Sequence, residues 1–485
     1  MSRIRTLSKG ALLLLAGQAG AQLLSLLRNF VIARLIFPHD FGIAVTFTTT
    51  ISLLNLISDM GLDKFVVQDR DGDDPRLQAS LHALILTRGI LTALALFVCA
   101  QPIATLFGVP EQVAAYRWLS LAPLISGFVH LDSIRAYRRL DFAPDSIANF
   151  AAQFLSVAVA LALVYAMRDF RPMLWGLIAQ SVAYTAASHL VANRRYEISF
   201  AKSQLSRLAA FAWPLTVNGL VLFAAGQGDR VAIGSTLGVR ELAIYGAPAL
   251  ISSAISMVLI RVLGSLTLTI LARARDNSDE FDRVHRHIGA IIGLSALCVA
   301  VPFMFLGPDI IRLLYGAAYT GPSELFIFVG LSLGLYVIGY WATVAALALG
   351  DSKNVLIVNI ARFAGFCTVI PILAFGYGGL VVVAAGMAFG QVLGVATGIL
   401  RLNRVLNRPG GTDSSGILFV MAIFAVTACA AFLVEHVHLI ARVGICAAFV
   451  SACLTLLPLA SRDYRELFTS FLQKLRTELG AHGRI

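Results

Sequence analysis

Fourteen stretches of this chain are apolar enough, and long enough, to cross a bilayer. They are residues 10–36, 41–67, 81–107, 113–135, 143–167, 173–192, 208–237, 242–272, 288–314, 325–350, 355–375, 379–400, 416–435 and 439–459. A spanning helix needs about 20 predominantly apolar residues. Lipid offers no partner to a bare amide, so each stretch must satisfy its own backbone as a helix. Only 13% of the 485 residues are charged and 58% are hydrophobic. That leaves too little polar surface for a soluble fold of this length. The expected class is all-α, a polytopic membrane protein with 14 transmembrane helices. Prolines inside the stretches (Pro102, Pro123, Pro214, Pro248, Pro302, Pro371) are compatible with it, because neighbouring helices can satisfy the freed carbonyls.

The formal charge of +11 would point to nucleic acid in a soluble chain. Here the basic residues report orientation instead. The loops on one side, with both termini, hold 26 Lys and Arg; the other side holds Arg168, Arg171 and Arg240. That asymmetry places both termini in the cytoplasm. Met1–Lys9 is basic, but the apolar run after it is too long for a signal core and lacks a small-residue cleavage site, so a retained first helix is expected. The six cysteines all lie within apolar runs without metal-ligand spacing and read as small buried hydrophobes.

The chain repeats itself once. Ile32–Ile43 aligns without gaps to Ile233–Ile244, which sets Asp40 on Glu241 and Arg28-Asn29 on Asp229-Arg230. Six expected helices separate the copies, so both insert with the same orientation. Two lobes related by a pseudo-twofold along the membrane normal, with a cleft between them, follow from that count. The expected organisation is an N-terminal six-helix lobe at 1–200, a C-terminal six-helix lobe at 201–408, two extra helices at 409–460 and a cytoplasmic tail at 461–485. In the tail, Tyr464, Leu467, Phe468, Phe471, Leu472, Leu475 and Leu479 share one helical face, the pattern of a helix lying on the cytoplasmic leaflet.

Charges inside the spans carry the functional argument. An arginine at mid-membrane costs about 2.5–3.5 kcal/mol on insertion scales. Arg28, Arg88, Arg261 and Arg362 lie in the first, third, eighth and eleventh spans, two per lobe. Facing the cleft they would form a cationic lining for a large anion, since guanidinium stays charged and forks onto phosphate oxygens. Otherwise each pairs with an acid or snorkels to the interface. Asp59 and Asp229 are the deepest acids; each either carries a coupling H+ or Na+ or serves as counter-ion to an arginine. Asn55, Asn149, Gln153, Asn218, Gln227, Asn359 and Gln391 either bind sugar hydroxyls or cement helix packing. No phosphate-binding Walker loop, nucleophile elbow or HExxH motif occurs, so an enzyme is not expected, no cofactor is implied, and no metal site is expected at the RVHRH stretch of 283–287.

RNFVIARLIFPHDFGIA at 28–44, NLISDMGLDKFVVQ at 55–68 and GDRVAIGSTLGVRELAIYGA at 228–247 follow one another in an order that resembles the polysaccharide transporter family. These are the Wzx-type flippases of the larger MOP group of drug, oligosaccharide and polysaccharide exporters, which includes the MATE transporters. The Arg-x-x-x-x-Ala-Arg run from Arg28 to Arg34 also resembles that of the lipid II flippase relatives, whose first such arginine lines the central cavity; the resemblance gives that role to Arg28 alone. It implies a flippase that carries an undecaprenyl-pyrophosphate-linked oligosaccharide across the inner membrane by alternating access. The product would be exopolysaccharide, capsule or O-antigen, and a polysaccharide polymerase and a chain-length regulator would be partners. A lipid II flippase and a multidrug antiporter of the same superfamily are the nearest alternatives, although four deep arginines suit an anionic cargo better than a cationic drug. A membrane glycosyltransferase or polymerase would need a sizeable outer loop, and every outer loop here is short.

Overall fold

The computed structural model describes residues 2–58, 65–67, 69, 71–139, 141–200, 202–351, 353–406, 415–434, 437–460, 464–465 and 469. These residues form helices and connections, and none is in a strand. The N-terminal helices are α1 (Ser2–Leu35), α2 (Pro38–Ser58), α3 (Pro75–Val98), α4 (Ala100–Leu106), α5 (Val113–Leu119), α6 (Leu121–Ser126), α7 (Asp132–Arg135), α8 (Ala143–Met167) and α9 (Arg171–Leu190). Then come α10 (Lys202–Thr236), α11 (Val239–Ala274), α12 (Ser278–Leu314), α13 (Ser323–Ala348), α14 (Lys353–Cys367), α15 (Val369–Ala374), α16 (Leu380–Val405), α17 (Ser415–Leu433) and α18 (Leu439–Ala460). Helix occupies part of each of the fourteen expected stretches. Among the described residues, nine helices are long and apolar enough to cross a membrane by length and composition.

Three expected spans are interrupted, and each break has a proline behind it. Proline lacks the N–H of the helix ladder, and its ring crowds the carbonyl four residues back. Pro102 stands four residues after Val98, where α3 ends; Pro123 four after Leu119, where α5 ends; Pro371 four after Cys367, where α14 ends. The hydroxyl beside two of these breaks takes up a carbonyl of the preceding turn. Ser120 Oγ donates to the Arg117 carbonyl at 2.6 Å, and Thr368 Oγ to the Gly365 carbonyl at 2.7 Å. The 113–135 stretch is broken furthest, into α5, α6, a turn at 127–131 and the short α7.

The backbone divides into two compact units: Met1–Ala247 with Leu314–Tyr319, and Pro248–Leu313 with Thr320–Ile485. This division falls elsewhere than the lobe boundary at residue 200, because α10 packs on α2 within the first unit. The first unit's core gathers Ile43, Phe47, Phe107, Tyr116 and Phe170, with α8 packed between α1 and α9. Its loop at 69–74 is clasped by arginine: Arg138 Nη1 donates to the carbonyls of Val66, Val67 and Asp69, and Asp73 accepts from Arg135 and Arg138 at 3.2 and 3.1 Å. Burial pushes the Asp73 carboxyl up, but these hydrogen bonds outweigh it and leave the group below its ordinary value.

The second unit is built around α12, α13, α16 and α17, with Phe281, Trp341 and Phe424 at its centre. The Trp341 indole stacks on His285 at 4.3 Å and donates to the His285 carbonyl at 3.0 Å. Tyr464 is buried in the same core, while the rest of the expected amphipathic face lies outside the described residues. Cys446 and Cys453 are buried as expected, whereas Cys298 and Cys429 are exposed on helix surfaces and Cys99 is exposed at the break between α3 and α4.

Candidate functional site

Arg28 of α1 is 4% exposed. Its Nη1 donates to the Ser156 hydroxyl of α8 at 2.6 Å, and its Nε has no partner. Among the described residues no carboxylate pairs with it. Its burial keeps the side chain from an outward face, and among the described residues its one side-chain partner is a neutral hydroxyl. Ser156 is positioned by a close approach of α9, where a Cβ on Gly176 would lie 3.1 Å from the Ser156 carbonyl. A guanidinium buried with one neutral acceptor retains its charge and spare donors, which suits it to an anion.

Arg362 of α14, in the second unit, is housed differently. Its guanidinium lies 4.8 Å above the Tyr336 ring of α13, and Nη1 donates to Asn359 Oδ1 at 3.3 Å. Two glycines leave its room: a Cβ at Gly339 would stand 2.8 Å from Nη2, and one at Gly394 of α16 2.6 Å from Cγ. Its Nε, like that of Arg28, has no partner. Arg88 is half-buried on α3, and Arg261 is exposed on α11. Asp59 lies outside the described residues.

Asp229 of α10 is as buried as Arg28, its counterpart in the repeat. Tyr245 of α11 donates to Oδ2 at 2.5 Å, and the backbone N–H of Arg230 donates to Oδ1 at 2.8 Å. Among the described residues its side-chain partner is thus a tyrosine hydroxyl and not an arginine. Sequence reasoning did not single out Ser156 or Tyr245, because a lone hydroxyl residue in an apolar run carries no pattern.

The two corners of the repeat meet inside the first unit. The register that sets Ile32 on Ile233 also sets Val45 on Gly246, and these two positions touch: a Cβ on Gly246 would be 3.4 Å from Val45 Cγ2. In two copies related by a twofold, a residue meets its own equivalent where it lies beside the axis. Around that point Gly42 packs directly against the Val239 carbonyl, and the Phe107 ring covers Gly234. Tyr315 and Tyr319 stack edge-on against Phe41 at 5.9 and 5.5 Å. Arg34 Nε donates to the Leu314 carbonyl at 3.2 Å, and the Tyr319 hydroxyl to the Ile36 carbonyl at 3.2 Å. Phe107 and Tyr315 precede glycines in the left-handed region, Gly108 at φ +67° and Gly316 at φ +105°. Leu106-Phe107-Gly108 and Leu314-Tyr315-Gly316 share this turn, a likeness legible in the sequence.

The polysaccharide biosynthesis protein family model matches residues 31–324, more than half of the chain. The succinoglycan biosynthesis transport protein ExoT of Rhizobium meliloti (strain 1021) is 28% identical over 222 residues, 45% of this chain and 44% of that one. The lipopolysaccharide biosynthesis protein WzxC of Escherichia coli (strain K12) is 20% identical over 380 residues, 76% and 74% of the two chains. The alignment thus spans under half the length of ExoT and about three quarters of WzxC. Among solved structures, the lipid II flippase MurJ in an inward closed conformation superposes with a TM-score of 0.68 at 12% identity, over 94% of this chain and 100% of that one. An inward-facing multidrug resistance MATE family transporter of the MOP superfamily gives 0.64 at 15% identity, over 80% and 96%. The all-α, polytopic architecture is that of these transporters, and the chain belongs to the polysaccharide biosynthesis protein family.

Proposed function

We propose that the protein is a flippase, and not an enzyme, that moves an undecaprenyl-pyrophosphate-linked oligosaccharide from the inner to the outer leaflet of a bacterial inner membrane. The carrying observation is the buried guanidinium of Arg28, held by a serine hydroxyl and with no carboxylate partner among the described residues. A diphosphate is the complementary charge, and Arg88 of the same lobe, with Arg261 and Arg362 of the C-terminal lobe, are the other arginines this reading calls on. Succinoglycan and lipopolysaccharide biosynthesis, the processes that name ExoT and WzxC, support a cargo destined for exopolysaccharide, capsule or O-antigen.

In this reading the lobes at 1–200 and 201–408 rock about the corner junction, with both termini cytoplasmic and the junction on the outer side. No cofactor takes part, and an H+ or Na+ gradient drives the cycle; Asp59 and Asp229 are the carboxylates the sequence offers for it, of which Asp229 has a donor on each oxygen and suits a structural role better. A polymerase and a chain-length regulator would receive the cargo.

The test is flipping of a fluorescent lipid-linked oligosaccharide in proteoliposomes. Arg28→Ala removes a charge-assisted contact of about 1.5–3 kcal/mol, so the rate should fall roughly 10- to 100-fold, with Arg362→Ala affected in the same direction. Wild-type rates from both variants, at equal folded protein, would sink the proposal.

A further inference from the structure

At the start of α8 lies a second buried charge that the reading above does not use. Asp145 is 6% exposed. Its Oδ1 accepts from the Tyr184 hydroxyl of α9 at 2.8 Å; its Oδ2 accepts from the Tyr137 hydroxyl at 2.6 Å and from Asn149 Nδ2 at 3.0 Å. Among the described residues no cation pairs with it. Asp145, Asn149, Gln153 and Ser156 recur at helical spacing and share one face of α8. Gln153 Oε1 accepts from Gln180 Nε2 at 3.3 Å, and Ser156 accepts from Arg28. Polar side chains on this face, the exposed Asn149 among them, thus lie between a carboxylate and a guanidinium that have no charged partner among the described residues, about 16 Å apart along the helix axis.

The donors on Asp145 matter more than their number. An arginine or lysine partner can only donate, so it holds a carboxylate in one state. A tyrosine hydroxyl donates or accepts. When Asp145 gains a proton, either hydroxyl can rotate to accept it, and both states remain hydrogen-bonded. Asp145 sits in the first turn of α8, one turn from the connection at Asp141, where water can deliver protons. Among the described residues, the titratable and charged groups that meet this face of α8 from neighbouring elements are Tyr137, Tyr184 and, at the far end, Arg28; Asp132 and Arg135 of α7 pair with each other at 2.6 Å.

We propose that Asp145 is the proton-carrying carboxyl of the transport cycle, binding a proton from water on Oδ2 while the Tyr137 hydroxyl turns from donor to acceptor, and returning it by the reverse step. This rests on the flippase reading for its role, but the proton site itself can be tested without cargo. Infrared titration of the full-length protein in liposomes should show a protonated-carboxyl band on acidification that Asp145→Asn removes. Tyr137→Phe and Tyr184→Phe keep the carboxyl and each remove one hydroxyl, so the band should persist with a displaced midpoint. In flipping assays, an imposed pH gradient should accelerate the wild type several-fold and leave Asp145→Asn at one rate with or without it. A band unchanged in Asp145→Asn, or one unmoved by both tyrosine variants, overturns the proton site. Acceleration by a sodium gradient and not by a pH gradient overturns its role in coupling. If the band behaves as expected but no oligosaccharide moves, the flippase reading fails and the proton site stands. Should Asp145→Asn not fold, the two tyrosine variants carry the test alone.

Discussion

The repeat places Arg28 and Asp229 at equivalent points of α1 and α10, with opposite charge, and both are buried. Coulomb's law would favour pairing them with each other. Instead each takes a hydroxyl from the helix beside it, Ser156 for the arginine and Tyr245 for the aspartate. The aspartate also holds a backbone N–H, so each of its oxygens has a donor, whereas Nε of the arginine has no partner. A carboxylate satisfied in this way holds a corner together. A guanidinium with spare donors at a matching depth is prepared for something that arrives. In the proposed reading the two copies keep one backbone plan and divide the labour between structure and binding.

The division can be broken most forcefully at the junction. A Cβ on Gly42 would overlap the Val239 carbonyl, a backbone atom that cannot swing aside. Gly42→Ala should destabilise the protein by about 3 kcal/mol, the upper range for overpacking, seen as a lower thermal midpoint in detergent. Tyr245→Phe comes next: it strips the side-chain donor from a buried carboxylate, which costs about 2–3 kcal/mol. Ser156→Ala should cost less, about 1–2 kcal/mol, because a guanidinium stripped of one neutral acceptor keeps four other N–H groups to place. If Ser156→Ala proves the more damaging, the assignment of structure to Asp229 and binding to Arg28 is reversed.

Much of this was legible before any coordinates. Apolar run length located a helix in every expected stretch, since lipid leaves the backbone no alternative. Arg28 stood out because a charge at that depth is expensive. Proline positions were legible too, but not their outcome: Pro102, Pro123 and Pro371 end a helix four residues back, while Pro248, Pro302 and Pro308 lie inside continuous helices. The difference is tertiary, set by whether neighbours hold the helix through the missing bond. Partner identity was equally hidden. Tyr137 and Asp145 are eight residues apart in different elements, and nothing in composition says that a hydroxyl at one will meet a carboxyl at the other.

The smallest expected effect is the most discriminating, because it differs in sign. Gly42 and Gly246 both lie inside helices, so replacing either by alanine gains the same helix propensity, about 0.8–1 kcal/mol. Only the surroundings differ. At Gly246 the new methyl would meet Val45 Cγ2 at 3.4 Å, an ordinary contact with a side chain that can adjust. Gly246→Ala should therefore leave stability unchanged or raise it by up to about 1 kcal/mol, while Gly42→Ala lowers it. A contact on a twofold axis also brings each position to its own equivalent, so Val45→Ala should offset part of any crowding that Gly246→Ala introduces. If Gly246→Ala destabilises as strongly as Gly42→Ala, the helices approach more closely at 45/246 than the 3.4 Å contact allows, and the axis does not pass between them.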